Sequence, residues 1–350
     1  MAYTTINKST DHVNTKLYTG NNSTNAITGV GHQPDMVWIK RRNNTSDHQV
    51  YDAVRGAQKG IFTSTTGAEA TEGSTRGLNA FNSDGFTLGA EVSDIAGSCN
   101  ANSDTYASWN WKAGTTSGLS GGTITPSAYS INTTSKFGIY KYSGTGANAT
   151  LAHGLGATPS LVMTKSLGDT SPWAVWCKGL ANTEYLVLND SAGKGTGASN
   201  MWNSTSPTDT LISFGSDGQT NGSGKTFICY VWCDVAGYCK AGSYTGNGNA
   251  DGTFIYTGFK PAWIMIKRTG SAQSWVMFDN KRNPFNLTDN ILFAHLNSAE
   301  QVDTTPNIDI VSNGWKIRHT DDSINGSETY IYMAFGQSLV GSNNIPCSAR

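Results

Sequence analysis

The stretch Pro34-Asp35-Met36-Val37-Trp38-Ile39-Lys40 returns twice along the chain, as Pro159-Ser160-Leu161-Val162-Met163-Thr164-Lys165 and as Pro261-Ala262-Trp263-Ile264-Met265-Ile266-Lys267. A second motif follows each copy, an aromatic run opened by threonine: Thr105-Tyr106-Ala107-Ser108-Trp109-Asn110-Trp111, Thr226-Phe227-Ile228-Cys229-Tyr230-Val231-Trp232 and Thr329-Tyr330-Ile331-Tyr332-Met333-Ala334-Phe335. A third precedes each copy: Tyr18-Thr19-Gly20, Tyr142-Ser143-Gly144 and Tyr244-Thr245-Gly246. Three stations in the same order, three times over, identify one β-rich unit used as an internal repeat. Equivalent residues must then lie on equivalent strands. Alternation along a strand puts Trp38, Met163 and Met265 on one face and Val37, Val162 and Ile264 on the other.

Within a unit the strand signals are short and regular. In the third, Ala262 to Lys267, Ser274 to Phe278, Ile291 to Ala294 and Ile308 to Val311 are apolar runs. Ser312-Asn313-Gly314 is a hairpin turn into Trp315-Lys316-Ile317-Arg318. Asp84-Gly85 occupies the same place in the first unit. The closing aromatic strand is apolar on both faces, which predicts a central position. No segment sustains helical periodicity. The expected fold is all-β: three repeated antiparallel β-sandwich units of jelly-roll or concanavalin-like type. The expected organisation is an N-terminal docking arm over 1–16, repeats over 17–113, 137–236 and 237–338, a Gly/Ser/Thr-rich flexible linker over 114–136, and a C-terminal tail over 339–350. The linker predicts a first unit able to dock separately.

Composition agrees. The 350 residues include 40 glycines, and only 14% are charged, against a usual ~25%. Serine, threonine and asparagine take their place, as turn-rich β proteins require. The net charge of −1 leaves no basic surface for nucleic acid, Lys40-Arg41-Arg42 being an isolated cluster at a strand end. No window is apolar enough to span a membrane. The first residues, Met1-Ala2-Tyr3-Thr4-Thr5-Ile6, lack the character of a secretory signal, so export by that route is not expected. The cysteines 99, 177, 229, 233, 239 and 347 lack the paired spacing of a zinc site and are expected as free buried thiols.

Catalytic patterns are missing. His12, His32, His48, His153, His295 and His319 do not recur at matched positions, and Glu69, Glu91, Glu184, Glu300 and Glu328 share no register. Asp84 and the pair Asp321-Asp322 lie in turns that lack the Asp-x-Asp-x-Asp-Gly calcium ladder. No catalytic residue, metal ligand or cofactor site is assigned. Lys40, Asp52 and Arg55 recur at the same spacing as Lys267, Asp279 and Arg282, whereas Lys165 is followed by Cys177 and Leu180. Joint loss of acid and base predicts a structural ion pair replaced by packing. Trp173, Trp202 and Trp275 flank loops and are the candidates for stacking on sugar rings.

Beyond these motifs, Phe81-Asn82-Ser83-Asp84-Gly85-Phe86-Thr87-Leu88-Gly89, His153-Gly154-Leu155-Gly156-Ala157-Thr158-Pro159, Gly242-Ser243-Tyr244-Thr245-Gly246-Asn247-Gly248, Gly258-Phe259-Lys260-Pro261-Ala262-Trp263 and Asn280-Lys281-Arg282 stand out. Together with Pro34 to Lys40, they resemble the repeated domains of virion proteins from marine tailed bacteriophages. The resemblance covers nearly the whole chain. It implies a non-enzymatic tail fibre, tail appendage or capsid decoration protein with lectin-like repeats, made in the host cytoplasm and carried on the virion surface. Its expected partners are itself, as a homotrimer or other homo-oligomer, other virion proteins, and host-surface glycans. A free-standing carbohydrate-binding module and a glycan depolymerase are the alternatives the residues leave open.

Overall fold

The computed structural model describes residues 4–73, 75–90, 98–302 and 307–340. These residues are almost entirely β, with one short 3-10 turn at Ser9–Asp11. Three six-stranded antiparallel sheets dominate. The first runs in the order Val13–Thr19, Thr105–Trp111, Met36–Arg41, Gln49–Asp52, Lys59–Phe62 and Ala70–Thr71. The third runs Cys239–Thr245, Thr329–Gly336, Pro261–Arg268, Val276–Asp279, Asn290–Phe293 and Gln301–Val302. The second has the same series, from Phe137–Ser143 through Thr226–Cys233, Pro159–Ser166, Ala174–Cys177 and Leu186–Val187, with Ala128–Asn132 added at its outer edge.

The registers coincide as well. Trp38 faces Trp109, Met163 faces Tyr230 and Met265 faces Met333 across the same strand pair. The threonine-opened strands are central, with a partner on each side and both faces covered, which explains their unbroken apolar character. A smaller sheet packs on the outside of each large one. Asn25–Thr28 joins Gly85–Leu88 and Leu78–Asn82 in the first unit, and Ala149–Ala152 joins Leu211–Phe214 in the second. In the third, Phe254–Tyr256 joins Gly314–Ile317 and Ile308–Val311. Both predicted hairpin turns are present, with Asn82 opposite Gly85 and Val311 opposite Gly314.

The large sheets of the first and third units bury their two faces in different cores, whereas Val162 and Met163 of the second both belong to the shared one. Val37 and Ile39 pack with Leu78, Phe86 and Leu88 in a core private to the first unit. Ile264 and Ile266 pack with Ile255, Ile310 and Trp315 in the third. The alternate residues Trp38, Met163 and Met265 enter one core shared by all three units. At its centre three equivalent aromatics meet: the Trp111 ring lies 6.0 Å from Trp232 and 5.7 Å from Phe335. Equivalent residues of the three units thus come together at one place through Trp111. The chain is a ring of three sandwiches around an aromatic hub.

Three expectations about organisation are corrected. The stretch 114–136 is not a free linker, because Ala128–Asn132 pairs with Phe137–Ser143, while Ile124 bridges to Leu151 and is buried. Glycine and serine set its composition, but Ile124 and Ile131 anchor it. The first unit is not separate, since Trp111 sits in the hub. Residues 4–16 of the expected docking arm are built into the body itself. Val13 pairs with Trp111, Ile6 is buried in the shared core, and Leu339 N donates to Asn7 O at 2.8 Å, joining the two ends of the ring. Residues 1–3 and 341–350 lie outside the described residues.

Candidate functional site

The recurring lysines lie at the seams between units. Lys40, Lys165 and Lys267 are fully buried. Lys40 Nζ donates to Asn297 O of the third unit at 3.3 Å, Lys165 Nζ to Thr66 O of the first at 3.3 Å, and Lys267 Nζ to Ser191 O of the second at 3.0 Å. The same carbonyls accept the backbone N–H of Ser46, Ser171 and Gln273. In the other direction Glu69 N donates to Leu167 O, Lys194 N to Thr269 O and Glu300 N to Arg42 O. Each unit thus binds the next by one cyclic pattern, the head-to-tail contact that closes a three-membered ring. Burial pulls each lysine down to about 8.

The acid–base pairs belong to the same seams. Asp52 and Arg55 form a fully buried ion pair at 2.5 Å, and Asp279 and Arg282 repeat it at 2.5 Å. The arginine forks are completed by Val50 O and Lys59 O in one, and by Met277 O and Asn290 O in the other. Each aspartate also accepts from the neighbouring unit, Asp52 from the Tyr230 hydroxyl at 2.6 Å and Asp279 from Trp109 Nε1 at 3.1 Å. The position equivalent to Tyr230 and Trp109 in the third unit is Met333. Where Asp and Arg became Cys177 and Leu180, the facing hydrogen-bond donor became a methionine too. Burial pushes the Cys177 thiol far above its ordinary range, so it sits there as a neutral apolar group.

The predicted sugar platforms lie elsewhere than on the surface. Trp173, Trp202 and Trp275 are 1%, 3% and 1% exposed, so none can stack on a glycan. Trp173 and Trp275 are equivalent residues that cross the seams, donating to Phe62 O at 2.8 Å and Val187 O at 2.9 Å. His48 holds the corresponding place in the first unit and is kept neutral by burial. Trp202 donates to Glu184 O beneath the second unit's outer strands.

The carboxylates are likewise engaged. Glu69 pairs with Arg55, Glu184 with Lys194, Glu300 with Arg42 and Arg282, and Glu328 with Arg268. Asp84 accepts from Gly29 N and Gly31 N, which hold its carboxyl below the usual range. Asp321 accepts from Ser323, and Asp322 pairs with Arg268. Glu91 and Cys347 lie outside the described residues; Cys99 is buried, and Cys177, Cys229, Cys233 and Cys239 are free and buried. Among the described residues no group of three or more His, Cys, Asp or Glu is placed to hold a metal, and no helix is long and apolar enough to cross a membrane.

Among the described residues the exposed large apolar side chains all belong to the third unit, Leu296 and Val302 with the four that follow. Phe285 is 76% exposed, Tyr256 57%, Phe254 43% and Leu287 39%. Phe254 and Tyr256 point outward from the edge strand of the small sheet, alternating with buried Ile255. On the opposite edge, Asn286 bonds both the N–H and the carbonyl of Ile310, holding Phe285 and Leu287 beside Ile308–Val311. None of these four was singled out from the sequence. A signal existed once register is known: Phe254 and Tyr256 are equivalent to Ala26 and Thr28 in the first unit and to Thr150 and Ala152 in the second.

Residues 8–338 match the model of a domain of unknown function, DUF7483, and the chain belongs to that family. No curated protein and no solved structure matches it.

Proposed function

We propose that this chain is a bacteriophage virion surface protein, a non-enzymatic tail appendage or capsid decoration that contacts the host surface. The observation that carries the reading is the closed ring. The recurring charged and aromatic side chains hold units together across three seams, and the described glutamates are engaged in local ion pairs or hydrogen bonds. Such a body is a rigid presenter of surface. The sequence resemblance to repeated virion domains supports the same role.

The internal three-fold changes how the expected homotrimer is best read. Three units already close on one another, so a single chain supplies the valency that three subunits would otherwise provide. One copy per attachment site is therefore the favoured stoichiometry, with neighbouring virion proteins as its partners. A free-standing carbohydrate-binding module and a glycan depolymerase remain the competing functions. Quantitative mass spectrometry of purified particles tests the proposal. Tens to hundreds of copies indicate capsid decoration, and a small multiple of three or six indicates the tail. Absence from particles contradicts the virion role, and sugar release abolished by a single carboxylate substitution contradicts the non-enzymatic one.

A further inference from the structure

The opening strands of the three units are equivalent, but their outer edges are not. Phe137–Ser143 carries Ala128–Asn132 along its edge, with Ser130 opposite Ile139 and Asn132 opposite Phe137. Cys239–Thr245 is held by the connection before it. Cys239 and Val235 exchange both backbone bonds at 2.9 Å, and Ala241 N donates to Asp234 Oδ1 at 2.8 Å. Among the described residues Val13–Thr19 has neither kind of neighbour. Gly20 N bonds Asp104 O and Lys112 N bonds His12 O, so the even-numbered residues turn their backbone groups toward Thr105–Trp111. Val13, Thr15 and Leu17 turn theirs outward, and no hydrogen bond among the described residues takes them up. An open row of strand groups is a template for another strand.

A cavity of about 330 Å³ runs beside this edge, at the seam where the first and third units meet. Its walls are those that enclose Ala128–Asn132 in another seam. That strand lies on Phe137, Gly138 and Ile139 and reaches toward the first unit. Ser130 Oγ donates to Asp35 Oδ1 at 3.1 Å and accepts from Gly114 N at 2.8 Å, and Asn132 Nδ2 donates to Lys112 O at 3.4 Å. The registers make Val13, Asn14 and Thr15 the equivalents of Phe137, Gly138 and Ile139. They make Ala262, Gly336 and Ser338 the equivalents of Asp35, Lys112 and Gly114. All of these equivalents line the cavity. It stands in the place that an added strand fills elsewhere in the same ring, so the fold itself shows what this space takes.

Charge narrows the occupant. Lys8 and Lys281 line the cavity, and among the described residues no carboxylate does. Lys8 is paired with Asp11 at 2.7 Å, which leaves Lys281 as the uncompensated charge. Asp35, the acid of the occupied seam, is Ala262 here. We infer that the groove between Val13–Thr19 and Ala262 binds an extended, acidic segment of another polypeptide, which adds as a strand to the outer edge of the first sheet. The inference rests on the virion role proposed above only for the source of that segment, a neighbouring virion protein.

The test is selection of a displayed library of random nonapeptides on the intact chain, with enriched peptides synthesised and titrated by calorimetry. Expected are acidic peptides that, when bound, slow amide exchange at Val13, Thr15 and Leu17 at least tenfold. Thr15→Pro removes an outward N–H, which an edge strand tolerates, and should weaken binding at least tenfold. Ala262→Phe fills the groove from its other wall with the same expected loss, and serves should Thr15→Pro fail to fold. Circular dichroism checks both variants. No enriched peptide, a preference for basic ones, or binding unchanged in a folded variant would overturn the assignment. So would exchange at Val13, Thr15 and Leu17 in the free protein as slow as at Lys16, which would show the edge already closed. A concentration-dependent dimer that Ala262→Phe abolishes would give the groove to a second copy and overturn it too. Counting the protein in particles keeps the two proposals apart. A chain that binds peptides but is absent from particles removes the virion role and leaves the groove. One that is present in particles but binds no peptide removes the groove and leaves the role.

Discussion

Asp52 and Asp279 each sit buried in a seam with an arginine of their own unit and a hydrogen-bond donor of another. Removing one member of such a set leaves a buried charge unpaired, at a cost of about 3–5 kcal/mol. Replacing the whole set by apolar groups need not cost as much, and the seam holding Cys177 and Leu180 demonstrates the alternative. We expect Asp52→Ala to destabilise the protein by about 3–5 kcal/mol in urea unfolding. The combination Asp52→Cys/Arg55→Leu/Tyr230→Met should cost less than that single change. A triple variant less stable than the single one would show that the seams are not interchangeable. The lysines make a pH prediction. Their folded values near 8 lie below the unfolded 10.5, so above pH 8 the unfolded chain holds more protons and stability rises. Cys177, Cys229, Cys233 and Cys239 act oppositely: their values are raised by burial, so unfolded thiols ionise first and stability falls above about pH 9. The urea midpoint should therefore increase between pH 8 and 9 and then decline. Lys40→Met/Lys165→Met/Lys267→Met should flatten the rising limb.

At the scale of elements, the opening triplets owe their glycines to one repeated contact. A Cβ on Gly20, Gly144 or Gly246 would stand 2.1, 2.2 or 2.2 Å from a backbone carbonyl oxygen of Ala101, Gly222 or Gly326. The loop pressed against each glycine is clamped by a buried asparagine. Asn100, Asn221 and Asn325 accept from the backbone N–H of Asn21, Thr145 and Asn247 and donate to nearby carbonyls. Alanine at any of the three glycines should cost about 1–3 kcal/mol through overpacking. Alanine at Gly168, which has open space around it, should change stability little. Thermal melts of the four variants check this. The large sheets were legible in the sequence because period-two alternation and the Pro-to-Lys and Thr-to-aromatic stations are local signals. The hairpin turns at Asn313-Gly314 and Asp84-Gly85 were legible for the same reason. Trp173 and Trp275 misled because a tryptophan beside a loop reads alike whether it meets solvent or a neighbouring unit. Phe254 and Tyr256 escaped because two aromatics in a short strand look like core until the partner register shows that Ile255 is the residue turned inward.

On the scale of the whole molecule, repetition serves closure. Three copies of a unit on a flexible string would give independent domains. Here Trp111 meets Trp232 and Phe335 in the shared core, and Asn7 closes the ring against Leu339. Deleting residues 1–14 should therefore destabilise the whole body, since Ile6 leaves the shared core and Val13 and Asn14 leave their strand. Circular dichroism of the truncated chain checks this, with loss of the cooperative melt as the expected outcome. Closure around one hub makes the units interdependent, and native-state hydrogen exchange measures that most directly. The ring account predicts that the slowest amides of Thr105–Trp111, Thr226–Cys233 and Thr329–Gly336 share one opening free energy, and that Trp111→Ala lowers it by the same amount in all three strands. Three distinct opening energies, with only the strand carrying the substitution affected, would contradict it.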